Sequence, residues 1–141
     1  MNQGATLDDI VAAVQPPPHL LARPYLRPIY DEPEFVVRNV WRLYGGWYDG
    51  NPAHLKPARE SALATELAAL AGGAGRLAER ATELAAQGEL ALACHLAEFA
   101  RRAAPDDPAI RAARGAVYTR RAETEQSVMA RGIFRAAADE E

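Results

Sequence analysis

The strongest constraint on this chain is its punctuation. Proline and glycine fall at intervals of one helix length: Pro16–Pro18, Pro33, Gly45–Gly46, Gly72–Gly73, Gly88, Pro105 and Pro108. Between these breaks, apolar residues recur every three or four positions, the period of an amphipathic helix. No segment sustains the alternation of β-branched residues that a strand needs. The sequence therefore predicts an all-α fold, a helical bundle or array.

Local signals set the first helices. Thr6 can cap a helix, with Asp9 three residues on, close to a capping box. Leu7, Ile10, Val11 and Val14 then form one stripe, and the proline triplet ends it because proline cannot continue the hydrogen-bond ladder. His19 to Ile29 reads as a short helix or irregular segment. A second helix begins near Asp31 or Glu32, with Pro33 in its first turn; Val37, Val40, Trp41 and Tyr44 share a face, and Gly45–Gly46 stop it.

From Ala58 the chain reads as helix after helix, rich in alanine, which favours helix and lets helices approach closely. Leu63, Leu67 and Leu70 mark one helix; Leu77, Ala81 and Leu84 the next; Leu90, Ala93, Ala97 and Ala100 another. Asp106, Asp107 and Pro108 start a further helix through Tyr118, and a last one is expected over Glu125 to Ala137. Gly88, Ala93, Ala97, Ala100 and Pro105 fall where a tetratricopeptide unit of about 34 residues wants glycine, small residues and a terminal proline. The expected organisation is an arm with an aromatic loop, 1–57, and a half with tetratricopeptide-like helix pairs, 58–141. A peptide-binding repeat is one functional reading of that half.

Composition narrows the function. Net charge is −3 over 141 residues, without the clustered basic patch of a nucleic-acid surface. No apolar run reaches the roughly 20 residues of a membrane span. The start is polar and acidic, unlike a signal peptide, which predicts a cytoplasmic protein. The lone Cys94 excludes an internal disulfide and reads as a small packing residue. His19, His54 and His95 lie far apart and in no metal-ligand spacing, so no metal site is expected within the chain. The acidic pairs Asp8–Asp9, Asp31–Glu32 and Asp106–Asp107 sit at helix starts, where the helix dipole accounts for them. No residue pattern here is catalytic.

One stretch stands apart. Seven aromatics, Tyr25, Tyr30, Phe35, Trp41, Tyr44, Trp47 and Tyr48, are interleaved with Arg27, Arg38 and Arg42 and run into GGWYDGNPAHLKP, Gly45 to Pro57. Such a cluster is either core, with arginines reaching outward, or a contact surface rich in the residue types of binding hot spots. In the loop, glycines permit unusual backbone angles, Asp49 to Asn51 can form local turn bonds, and His54 is expected to bond a backbone group.

MNQGATLDDIVAAVQPPPHL, RPIYDEPEFVVRNVWRLYGGWYDGNPAHLKP and the later GELALACHLAEFARRAAPDDPAIRAARGAVY resemble the dimerisation domain of alkyl sulfatases of the metallo-β-lactamase superfamily. The chain departs from the family pattern at Ile29, where the first residue of a tyrosine pair is usual, and at Phe35-Val36-Val37, where histidine-asparagine-valine is common. The resemblance implies a non-catalytic homodimerisation module. Leu7, Ile10, Val11, Val14, Tyr30, Val37, Trp41, Tyr44, Trp47 and Tyr48 are the candidate dimer or partner contacts. It also implies that zinc belongs to a separate metallo-β-lactamase-fold catalytic domain, with no cofactor in this chain. The alternative is a fragment or separate subunit of a zinc-dependent alkyl sulfatase that helps cover the active site, with Arg27, Tyr30 and His54 near the substrate's approach.

Overall fold

The structure, a computed structural model, describes residues 4–140. Met1 to Gln3 of the starting motif and Glu141 of the acidic tail lie outside the described residues. Among those described there are eight α-helices and two 3-10 turns and no strand, as the proline and glycine spacing predicts.

Helix α1 spans Leu7–Ala13, α2 Pro18–Leu21, α3 Pro33–Gly45, α4 Glu60–Ala71, α5 Ala74–Ala86, α6 Leu90–Ala103, α7 Pro108–Thr124 and α8 Val128–Asp139. The 3-10 turns are Pro24–Leu26 and Pro52–His54. The cap of α1 is a complete capping box: Thr6 Oγ1 accepts from the Asp9 N–H at 3.2 Å, and the Asp9 carboxylate accepts from the Thr6 N–H at 3.0 Å. These bonds hold the Asp9 carboxyl below its usual range. Val14 falls just past α1 as its C-cap. Asp107 caps α7 by accepting from the Ala109 and Ile110 N–H groups. Gly72 ends α4 in the left-handed conformation, φ 87°, which a side chain would strain.

The chain divides into two compact units. The second comprises Ala58–Glu125 and Ala130–Glu141. It holds the core, in two clusters: Ala81, Leu84, Ala85, Leu90, Ala93, Ala97 and Val117, and Ala68, Leu77, Ala78, Ala100 and Ile110. Small residues dominate because α4, α5, α6 and α7 pack face to face, and a methyl in place of a longer side chain lets the backbones close up. In α4 the structure departs from the leucine pattern. Leu63 and Leu70 are exposed, and Ala64 and Ala68, one and two positions away, are buried instead.

Unit two also has a polar keystone. Arg114 is buried, its side chain 8 % exposed. Its Nε donates to Glu98 at 2.7 Å, Nη1 to the Ala137 carbonyl at 2.6 Å, and Nη2 to Glu140 at 3.1 Å. Its guanidinium lies 4.9 Å from the centre of the Tyr118 ring. Tyr118 stacks on Phe134, 5.9 Å between centroids, and Arg121 covers the other ring at 5.3 Å. This ladder ties α8 to α6 and α7. Burial and the neighbouring Glu98 push the Tyr118 hydroxyl well above the usual tyrosine range.

The first unit comprises the residues up to Pro57 together with Gln126–Met129. Here α1 packs on α3. The segment before α8 holds the loop that leads into α3. Ser127, fully buried, donates its hydroxyl to the Tyr30 carbonyl at 2.7 Å, and the Val128 N–H donates to the Ile29 carbonyl at 2.6 Å.

Candidate functional site

In the first unit no hydrophobic residue among those described is fully buried. Along α3, Val36 and Val40 are about half exposed, Leu43 and Tyr44 are 74 % and 76 % exposed, and Trp47 in the loop that follows is 76 % exposed. Tyr25, Ile29 and Tyr30, in the loop before α3, are also exposed. The two readings of the aromatic run therefore separate: most of these rings lie on a surface of the unit and do not fill a core. Val37, Val40, Trp41 and Tyr44 all lie on α3 at the expected spacing, but they are not buried alike. Val37 and Trp41 are half-buried, whereas Tyr44 and Val40 are open. Of the α1 stripe, Leu7, Ile10 and Val11 are half-buried and Val14 is exposed.

Two concavities border this surface. The first is an apolar groove of about 240 Å³ between α1 and α3, lined by Ile10, Val14, Val36, Val37, Val40 and Trp41. The second is an open recess of about 660 Å³, which Trp41 also walls, with Asp8 at the start of α1 and Tyr48, Asp49, Asn51 and His54 of the loop.

The loop is built by its own polar side chains. The Asn51 N–H donates to Asp49 Oδ1 at 2.9 Å, and Asn51 Oδ1 accepts from the Ala53 N–H at 3.1 Å, the local turn bonds that aspartate and asparagine favour. Gly46 and Gly50 hold φ of 82° and 90°. Among the described residues the His54 side chain bonds no backbone group, contrary to the expectation. Its Nδ1 sits 2.5 Å from Asp49 Oδ2, and the Asn51 amide meets its Nε2 at 3.3 Å. The reason is the 3-10 turn Pro52–His54, which folds the ring back over the loop start. His54 and the Asn51 N–H hold the Asp49 carboxyl below its usual range, so it stays charged. Trp47 and Tyr48 meet at 5.9 Å, tilted by 59°.

Arg27 and Tyr30 do not line the recess that His54 borders. Of the arginines in the aromatic run, Arg38 pairs with Glu34 at 2.9 Å, while Arg27 and Arg42 form no ion pair among the described residues. The sequence reading missed Asp8 as a wall of the recess, because its place at a helix start already explains its charge.

The second unit has a separate cleft of about 580 Å³, lined among others by Cys94, His95, Glu98, Arg102, Tyr118 and Arg121. Its arginines are already engaged: Arg102 with Glu60 and Arg121 with Glu125. Burial raises the Cys94 thiol, the opposite of what activates a nucleophile. Among the described residues, no three or more His, Cys, Asp or Glu side chains gather as metal ligands, and no helix is long and apolar enough to cross a membrane.

The model of the family described as alkyl sulfatase dimerisation matches residues 6–141. The chain belongs to that family. It is 36 % identical over 108 residues to a linear primary-alkylsulfatase of a Pseudomonas strain, a match covering 76 % of this chain and 20 % of that protein. An alkyl/aryl-sulfatase of Saccharomyces cerevisiae is 35 % identical over 89 residues, 63 % of this chain and 14 % of the yeast protein. The solved structure of a stereoselective inverting sec-alkylsulfatase from Pseudomonas superposes with a TM-score of 0.88 at 27 % identity, covering 98 % of this chain and 22 % of that one. The chain thus spans between about a seventh and a fifth of the length of these alkylsulfatases.

Proposed function

We propose that this chain is a homodimerisation module with no catalytic chemistry of its own, pairing through the first unit. One observation carries the reading. The unit holds the chain's densest set of large apolar side chains, and they stand open to solvent, Leu43, Tyr44 and Trp47 at about three-quarters exposure. An obligate interface resembles a core cut in half, with aromatic and aliphatic residues at its centre. The family to which the chain belongs is one of dimerisation. Candidate contacts are Leu7, Ile10, Val11, Val14, Tyr30, Val37, Trp41, Tyr44, Trp47 and Tyr48, joined by Leu43.

Light scattering on the purified chain tests this. The expected mass is twice 15.3 kDa. A Leu43→Glu/Trp47→Glu variant is expected to run at the monomer mass with an unchanged helical spectrum. A wild-type monomer at micromolar concentration refutes the reading.

A second reading rests on the relatives being alkylsulfatases about five times the length this chain covers. In it, the chain helps cover the active site of a metallo-β-lactamase-fold domain that holds the zinc, with Arg27, Tyr30 and His54 on the substrate's approach. Arg27 and Tyr30 are exposed and so available for such a role, whereas both ring nitrogens of His54 are engaged by Asp49 and Asn51. Within a full-length alkylsulfatase carrying this chain, Arg27→Ala is then expected to raise KM for an alkyl sulfate with zinc content unchanged. An unaltered KM removes this reading.

A further inference from the structure

Resting on the dimerisation reading, we infer that the recess walled by Asp8, Asp49, Trp41 and Tyr48 receives the guanidinium of Arg42 from a second copy of this chain, while the adjoining apolar groove receives that copy's Leu43.

The walls of the recess match this ligand. A guanidinium is planar, donates to carboxylates and stacks on aromatic faces, and it sheds water more readily than an ammonium. The recess offers two carboxylates and two aromatic rings. His54 and the Asn51 N–H fix Asp49 within the loop, and the capping box engages Asp9 with Thr6. Asp8 makes no hydrogen bond or ion pair among the described residues, so its carboxylate is free to accept.

Trp41 is the hinge of the argument, since it walls both concavities. A segment that fills both must carry a cation directly beside an aliphatic side chain. The chain supplies that pair on a rigid helix. Arg42 and Leu43 are consecutive on α3; Arg42 lacks an ion pair among the described residues and Leu43 is 74 % exposed. Arg38, by contrast, is engaged by Glu34, and Arg23 by the Tyr25 hydroxyl.

Symmetry requires that a two-fold interface carry both halves of each contact on one surface, because residue i meets j and j meets i. The first unit carries both. The charge balance points the same way: two copies of net charge −3 repel at long range, so pairing gains from a local contact of opposite sign that fixes orientation.

Sedimentation of the 141-residue chain tests the assignment. Asp8→Arg and Arg42→Glu are each expected to weaken self-association by about tenfold or more. An equimolar mixture of the two variants is expected to recover a heterodimer of near wild-type affinity, since one contact is then the native Asp8–Arg42 pair and the other is restored with reversed polarity. Asp8→Asn, which disturbs α1 less, is expected to weaken the dimer and flatten its dependence on salt. If the wild type dimerises but Asp8→Arg and Asp8→Asn pair as tightly as it does, the recess assignment falls and dimerisation stands. It falls equally if both charge variants fold and weaken but the mixture does not recover, or if Arg27→Glu and not Arg42→Glu rescues Asp8→Arg. A monomeric wild type overturns the dimerisation reading itself.

Discussion

Replacing Arg114 with methionine isolates the energetics of the second unit. The guanidinium is almost wholly buried and serves two carboxylates, one carbonyl and one ring. Methionine retains much of the aliphatic stem, so the loss is chiefly electrostatic. Glu98, whose side chain is 21 % exposed, loses its 2.7 Å donor and keeps the Tyr118 hydroxyl and the distant Arg102 at 3.9 Å. The Ala137 carbonyl loses its 2.6 Å donor in a site that water reaches poorly. The Glu140 bond adds little, because that carboxylate is 59 % exposed and solvent screens it. Breaking a buried pair by removing one partner costs about 3–5 kcal/mol. The lost ring contact adds about 1–2 kcal/mol, because guanidinium and ring are both buried. Partial exposure of Glu98 argues for the low end of the pair's range, so about 4–5 kcal/mol in all. Against a typical total of about 5–15 kcal/mol this is a large fraction. Urea denaturation followed by circular dichroism measures it, with a lower midpoint at unchanged slope. Arg114→Met/Glu98→Gln should recover part of the loss, since it removes the stranded charge. A loss below about 1 kcal/mol for the single variant would show that Arg114 is not the keystone the geometry describes.

Three further outcomes are expected. Ser127→Ala leaves the Tyr30 carbonyl without its hydroxyl donor in a fully buried position and should cost about 1–3 kcal/mol, read by thermal melting. The Asp49 carboxyl is depressed in the folded loop, so its bond to His54 is fully present above the ordinary aspartate range and is lost as pH falls through the lower, folded value; Trp47 fluorescence should report loosening only below about pH 4, and Asp49→Asn should loosen the loop already at neutral pH. The Tyr118 hydroxyl is raised, so its contribution is complete below the ordinary tyrosine value near 10 and falls at higher pH as the unfolded chain ionises first; alkaline unfolding should be less steep in Tyr118→Phe.

What the sequence made legible is local. The Thr6–Asp9 capping box, Asp107 at the start of α7, Pro33 in the first turn of α3 and the left-handed Gly72 each act within a few residues, so their chemistry can be read from spacing alone. The side that a helix buries is another matter. In α4 the leucine stripe and the alanine stripe lie nearly side by side, and the neighbouring helices selected Ala64 and Ala68, leaving Leu63 and Leu70 out. Close packing of α4 on α5 and α6 has no room for leucine at the contact. The bond from His54 to Asp49 was hidden because it needs the 3-10 turn at Pro52 to reverse the ring. The Arg114 network was hidden because Glu98, Ala137 and Glu140 are brought to it from distant positions.

The contrast between the two units bears directly on function. The second unit completes a core: alanine dominates it, with Leu77, Leu84, Leu90, Ile110 and Val117, and its buried arginine is bonded, while Leu63, Leu70 and Ile133 stay exposed. The first unit spends the larger side chains, Trp41, Leu43, Tyr44 and Trp47, yet completes no core with them. Fully burying one side chain of this size is worth about 1.5–3 kcal/mol. Four of them left partly or wholly open therefore represent several kcal/mol of stabilisation that folding of the single chain does not realise. Association that covered them would release that free energy, and it would cost little reordering, because α3 and the loop from Gly46 to Leu55 are already held by their own hydrogen bonds. A rigid, open apolar helix beside a preformed polar recess is the arrangement expected of a surface shaped to be covered by protein.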